Sequence, residues 1–205
     1  MEILSERRLD ANLAGQLLLE MAQERSLERL LDKLMNRAIE RPDVACLQVW
    51  LIEKGDRCGT CMHRDRCGDH GRCLHLVAGI GKSVSGEVTL APRFHDSTQR
   101  IPLGLGLLGR VAVDGDQVIV DIRQDAPLES EDVDIAWLRQ EQIRGRGGTA
   151  IEFKGEILGV IAGYGREVIA EKSHMWGRVF AHYIGAAIAN ARAGTVADGD
   201  EALPG

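Results

Sequence analysis

Two kinds of hydrophobic pattern alternate along the chain: apolar residues that recur every three or four positions, and short runs that are apolar almost throughout. From Leu9 to Ala22, the residues Leu13, Leu17, Leu18 and Met21 make one stripe, which predicts an amphipathic helix. Ser26 stands where an N-cap is expected for a second helix, SLERLLDKLMNRAIE, in which Leu27, Leu30, Leu31, Leu34, Met35 and Ala38 repeat at the same steps. Pro42 ends it. VACLQVWLIE is short, β-branched and aromatic, which predicts a strand, and LHLVAGIG predicts another. QVIVDI, TAIEFKG and EILGVIAGYG read as further strands, with Lys154-Gly155 at a hairpin turn between the last two. EKSHMWGRVFAHYIGAAIANARA returns to helix, with Met175, Val179, Tyr183, Ile184, Ala187, Ile188 and Ala191 as its stripe. The closing GTVADGDEALPG offers little to bury and reads as a disordered tail.

This order predicts an α+β fold, one antiparallel sheet with helices on its faces, preceded by an N-terminal amphipathic helix. Residues 1–25 form that helix, 26–193 the globular domain and 194–205 the tail. At 205 residues, 44% hydrophobic and 27% charged, the chain suits a single domain. A formal net charge of -6 argues against direct nucleic-acid binding. No apolar run approaches the ~20 residues that span a bilayer, and MEILSERRLD lacks an apolar signal core, so a cytoplasmic chain without a membrane partner is expected. The stripe of residues 9–22 precedes the domain, and the closing helix carries another. Pairing of two chains through these terminal helices predicts a homodimer.

The sharpest signal is RCGTCMHRDRCGDHGRC, residues 57–73, which holds four of the five cysteines between two predicted strands. In a reducing compartment such clustering points to metal or redox chemistry rather than structural disulfides. Cys58, Cys61, Cys67 and Cys73 are spaced C-x2-C-x5-C-x5-C, and four thiolates are the number that closes a tetrahedral zinc site or holds a cubane iron-sulfur cluster. Gly59, Gly68 and Gly71 let the backbone curl around such a guest. Four arginines (Arg57, Arg64, Arg66, Arg72) against two aspartates (Asp65, Asp69) leave the segment formally +2, which favours thiolate over thiol. The count fits both metals. An iron-sulfur cluster is the first reading, zinc the second, and free thiols with a reversible disulfide at the C-x2-C pair the third. His63 and His70 are expected to be solvated loop residues, and His75 a strand residue of undetermined face. Cys46, between Ala45 and Leu47 on a strand, is expected to be a core residue rather than a ligand.

From about Ser26 to Ala193 the chain resembles a GAF domain. The resemblance rests on the order of the opening helix into VACLQVWLIE, then IPLGLGLLGRVAVDGDQVIVDIRQD, then GEILGVIAGYG and the closing AAIANAR. It implies a sensory or regulatory module that holds a small ligand over one face of its sheet and signals to a separate output protein. The cofactor-binding residues of such a pocket are not assigned by one sequence, and a cyclic nucleotide is among the ligands left open. The first three cysteines also resemble part of the C-x2-C-x5-C-x3-C motif of an auxiliary-cluster domain in some radical SAM enzymes, with a different last spacer. The Cys-rich GAF context is similar to that of transcriptional activators of alternative nitrogenases, whose sensory domains carry oxygen-sensitive iron-sulfur chemistry. Together these imply redox or oxygen sensing.

An enzymatic alternative with the same fold is a thiol redox enzyme related to free methionine-(R)-sulfoxide reductase. In that family a catalytic cysteine precedes the final glycine of the stretch matching IPLGLGLLG; Leu108 stands there in this chain, and a second cysteine is missing from DSTQRIP. No other nucleophile, base and oxyanion donor assemble by spacing. The expectation is therefore a chain that is not an enzyme, with no catalytic residue. Gly104, Gly106 and Gly109 spell G-x-G-x-x-G, but the dinucleotide fingerprint opens a long helix, whereas here Asp114-Gly115 reads as a turn a few residues on. These glycines are expected to shape a tight connection at the pocket rim, and RGRGG, residues 144–148, a flexible loop.

Overall fold

A computed structural model describes residues 11–24, 26–68, 70–90, 100–122, 133–169 and 171–200. Helices α1 (Ala11–Ala22) and α2 (Leu27–Ile39) precede strand β1 (Val44–Lys54). After the cysteine loop come β2 (Arg72–Lys82), β3 (Val88–Leu90) and β4 (Arg100–Pro102), then α3 (Gly106–Asp114), β5 (Val118–Asp121) and α4 (Ile135–Gln140). The hairpin of β6 (Gly145–Phe153) and β7 (Glu156–Gly165) leads into α5 (Glu171–Asp200).

The seven described strands form one sheet of order β3-β2-β1-β7-β6-β5, with β4 pairing β2 beside that path, and every described pairing is antiparallel. Strand β1 lies in the middle and is covered on both faces, which is why VACLQVWLIE is apolar nearly throughout rather than alternating. Val49 and Leu51 face α1, α2 and α5, and pack with Leu30, Leu34, Ile151, Ile184 and Ile188. Cys46 and Trp50 face the opposite way, onto Leu107, Leu108 and Val111 of α3 and Leu138 of α4. The α+β class and the antiparallel sheet expected from sequence are both present. Lys154 and Gly155 make the β6–β7 turn with φ of 52° and 83°, the left-handed pair that matches the twist of a two-residue hairpin.

Several expectations are corrected. The stripe of α1 does not stand apart from the domain: Leu17 and Met21 are buried in the core beside α2, whereas Leu19, off the stripe, is exposed. The stripe offered for pairing two chains is thus partly used within one. On α5 the buried face is Phe180, Ala181, Ile184 and Ile188, while Met175 is exposed. The buried stripe is rotated because α5 packs mainly on β6. The helix continues through 194–200 in place of the expected disordered tail; 201–205 lie outside the described residues. RGRGG is no loop, since Gly145–Gly148 begin β6. Glycine is demanded there by packing: a Cβ at Gly148 would stand 3.0 Å from a Leu108 methyl, and one at Gly147 would stand 2.9 Å from Ile119.

The G-x-G-x-x-G stretch does open a helix, the nine-residue α3, where a tight connection is expected. Its glycines serve packing and entry. Gly104 and Gly106 have φ of 81° and 64°, and a Cβ on Gly109 would meet the Pro102 carbonyl oxygen. Helix α4 was also missed; Asp134 caps it, its side chain accepting the Ala136 N–H at 2.8 Å.

Candidate metal centre

The cysteine loop is a long excursion between two strands already in register. Lys54 pairs with Arg72 and Glu53 with Cys73, and the Gly55 N–H donates to the Gly71 carbonyl at 2.9 Å, closing the base of the loop. Within it, successive tight turns fold the chain back: Thr60 N–H to Arg57 O at 3.0 Å, Arg64 N–H to Cys61 O at 3.1 Å, and a short 3-10 turn at Arg64–Arg66. These turns bring Cys58, Cys61 and Cys67 over Cys73, which sits at the start of β2. All four thiols line one small cavity of about 20 Å³, and all are half-buried and unbridged. The four candidate ligands chosen from spacing are therefore brought together.

They do not form a closed ligand shell. Among the described residues no group of three histidine, cysteine or carboxylate side chains is arranged to hold a metal ion. Instead, the thiol of Cys58 donates to the His70 carbonyl oxygen at 3.1 Å, and the His63 N–H points at Cys61 Sγ at 3.4 Å. Gly55 gives Cys58 room, since a Cβ there would stand 2.7 Å from its sulfur.

Arg57, Arg64, Arg72 and Arg100 also line the cavity. Three of the loop's four arginines are thus at the cavity, without Arg66, and Arg100, which the sequence did not single out, joins them. Arg100 lies on β4, opposite His75 of β2, and its guanidinium holds Asp56 through Nε at 2.8 Å and Nη2 at 2.7 Å. This paired hydrogen bond, above all else, keeps the Asp56 carboxyl far below the usual carboxylate range, and Asp56 in turn raises Arg100. Arginine does not make Cys73 acidic. Burial pushes its thiol up to about 11, Arg100 opposes this, and Asp56 and the neighbouring Cys58 and Cys61 add to it. The expectation that positive charge favours thiolate is thus reversed at Cys73, because the sulfur is desolvated.

The remaining candidates sort clearly. Cys46 is fully buried, and burial drives its thiol upward, as fits a core residue. His63 is buried at 5% exposure rather than solvated, because the turns around it fold it inward; His70 is exposed. His75 is half-buried, with Nε2 3.7 Å from Asp56 Oδ1, and burial followed by Arg100 lowers its proton affinity. Neither Asp56 nor Arg100 had a sequence signal: the pairing of β4 with β2 joins residues 44 positions apart. On the α3 face of the sheet, Trp50, Leu107, Leu108, Val111 and Tyr164 are buried together, with Trp137 edge-on to Tyr164 at 5.3 Å.

No protein-family model matches the chain, and no curated protein matches it. Solved structures do. The GAF domain of a phosphoenolpyruvate-protein phosphotransferase from Coxiella burnetii superposes with a TM-score of 0.63 at 22% identity, over 90% of this chain and 95% of its own. The nlh2 GAF domain of A. aeolicus gives 0.57 at 14%, over 86% and 93%. The chain has the GAF fold.

Free methionine-R-sulfoxide reductase from Neisseria meningitidis, solved with its substrate, gives a TM-score of 0.62 at 16% identity over 95% of this chain and 99% of its own. This likeness overturns the expectation of a chain that is not an enzyme. The fold, over nearly its full length, is one that carries catalysis, and catalytic groups are grafted onto a scaffold at more than one place. Leu108, buried in α3, therefore excludes one nucleophile at one position and no more. No described helix is long and apolar enough to cross a membrane.

Proposed function

We propose that the chain is a GAF-fold sensory or regulatory module whose loop 57–73 binds a metal through Cys58, Cys61, Cys67 and Cys73. The observation that carries this reading is the convergence of four thiols, spread over 16 residues of sequence, on one cavity rimmed by four arginines. A tetrathiolate site is dianionic around a divalent ion, and the guanidinium groups offset that charge. The GAF domains among the similar structures support the regulatory part. A separate output protein that receives its signal is part of the same proposal.

Room inside the cavity favours a single ion. At about 20 Å³ it takes roughly one atom-sized guest. Zinc fits that description, provided that the sulfurs leave their present positions, Cys58 and Cys61 giving up their hydrogen-bond partners, and turn inward. An iron-sulfur cluster is the second reading, favoured by the loop's position outside both apolar cores. Such a loop can dilate around a larger guest without disturbing core packing, and a cluster there would give the module a redox or oxygen response.

Metal analysis with an absorption spectrum of anaerobically purified protein tests both. The expected result is stoichiometric metal, lost in Cys58→Ser, Cys61→Ser, Cys67→Ser and Cys73→Ser and retained in Cys46→Ser. A colourless zinc protein selects the single ion; brown protein with broad absorption near roughly 400 nm selects the cluster. Protein that takes up neither zinc nor iron with sulfide sinks the metal reading.

A further inference from the structure

We infer that the cavity between α5 and the β5 side of the sheet binds a small dipolar molecule of the free amino acid class. It is independent of the metal reading: β1 and β7 carry the sheet from the cysteine hairpin to this side, and none of its residues belongs to loop 57–73. The cavity measures about 420 Å³, within the ~300–1,000 Å³ of small-molecule sites.

Its lining is divided by charge. Arg178 and His182 stand one turn apart on α5, so both side chains face the same side of the helix. Other elements of the lining supply two carboxylates, Asp116 on the connection from α3 to β5 and Glu152 near the end of β6. These four side chains are exposed, and none is in an ion pair with another described residue.

The polar wall between them is built. Thr149 is buried on β6, on the face that two residues further on contributes Ile151 to the apolar core. Its hydroxyl accepts from Gln117 Nε2 at 2.9 Å and keeps its own proton to donate. Helix α5 crosses this pair at Gly177, where a Cβ would come within 3.3 Å of both polar atoms.

Charge decides the ligand class. An anion would meet Arg178 but also two carboxylates; a cation would meet the carboxylates but also Arg178. An apolar guest would strip water from all of them without replacing it, and a neutral polar guest would leave their charges uncompensated. A molecule with a carboxylate at one end and an ammonium at the other satisfies both sides, and the Thr149 hydroxyl gives it a hydrogen-bond donor between.

Calorimetric titration of the full chain with each common free L-amino acid tests this, with acetate and methylammonium as single-charge probes. At least one amino acid should bind saturably with Kd below about 1 mM, and both single-charge probes at least about tenfold more weakly. Arg178→Gln and Asp116→Asn should each weaken that binding by about tenfold or more. Both positions are exposed, so the melting temperature of the ligand-free protein should be unchanged. No saturable heat up to about 10 mM with any amino acid, equal binding of acetate, or binding indifferent to both variants overturns the inference.

Discussion

Arg100 of β4 grips both carboxylate oxygens of Asp56, at 2.8 and 2.7 Å, and so ties the mouth of the cysteine loop to a strand that follows it by 44 residues. The pair stands at the base of the thiol cavity, which Arg100 itself lines. Residues that orient a ligand set typically change metal affinity about 10- to 100-fold when removed. Arg100→Gln should therefore weaken metal uptake by at least about tenfold while leaving the ligand count intact, measured by competition with a chromophoric chelator. The same variant has a pH signature. Asp56 is depressed in the folded state, so its contribution to stability is present above the unfolded value of about 3.9 and lost as pH falls through the folded one. Urea unfolding should show wild type more stable than Arg100→Gln near neutrality, with the gap narrowing below about pH 4.

Cys73 should be slow to react when no metal is bound. With its thiol pushed up to about 11, almost none is thiolate at neutral pH, and thiolate is the form that alkylates. Iodoacetamide labelling of metal-free protein, followed peptide by peptide, should show Cys73 modification rising steeply between about pH 8 and pH 11. Rapid labelling of Cys73 at pH 7 would contradict its desolvated setting.

Removing the metal should loosen the loop. Arg57, Arg64, Arg66 and Arg72 are all exposed, so each is a site for trypsin once the chain around it can open. Chelator-treated protein should be cut between Arg57 and Arg72 well before any core strand, and the metal-loaded protein should resist. Equal cutting in both states would leave the loop without metal-dependent order.

Helix α1 gives a contrast in stability. Met21 is fully buried against α2, whereas Leu19 is 68% exposed. Met21→Ala should cost about 2–5 kcal/mol in urea unfolding and Leu19→Ala no more than about 0.5 kcal/mol. If the two cost the same, α1 is not docked on the domain as described.

Elements with a strong apolar signal, periodic in α2 and nearly continuous in β1, β2 and β7, were legible in the sequence, and they and the Lys154–Gly155 turn fall where their patterns placed them. Glycine misled twice, at α3 and at the start of β6. In both places it answers a close approach by another element, which local propensity does not contain. The stripe of α5 was rotated for a related reason: Ala181 and Phe180 are chosen by the sheet beneath them, and the helix alone has more than one apolar side. Four thiols in one loop were legible because ligands close in sequence are close in space. Asp56 with Arg100, and Thr149 with Gln117, were not, since each pair is made by strands that meet only in the folded sheet.

The strand order has a consequence for how the molecule comes together. β1, β2 and β3 are neighbours in both chain and sheet, as are β5, β6 and β7, but the seam between the two sets joins β1 to β7 across more than a hundred residues. Closing that seam is the costly, non-local step, while each half can pair by short excursions. The two sites divide along the same seam. All four cysteines lie on the β1–β2 hairpin, and the cavity beside α5 is built wholly from residues after α3. An emerging chain can thus assemble its thiol loop before the second half exists, whereas the charged cavity waits for α5.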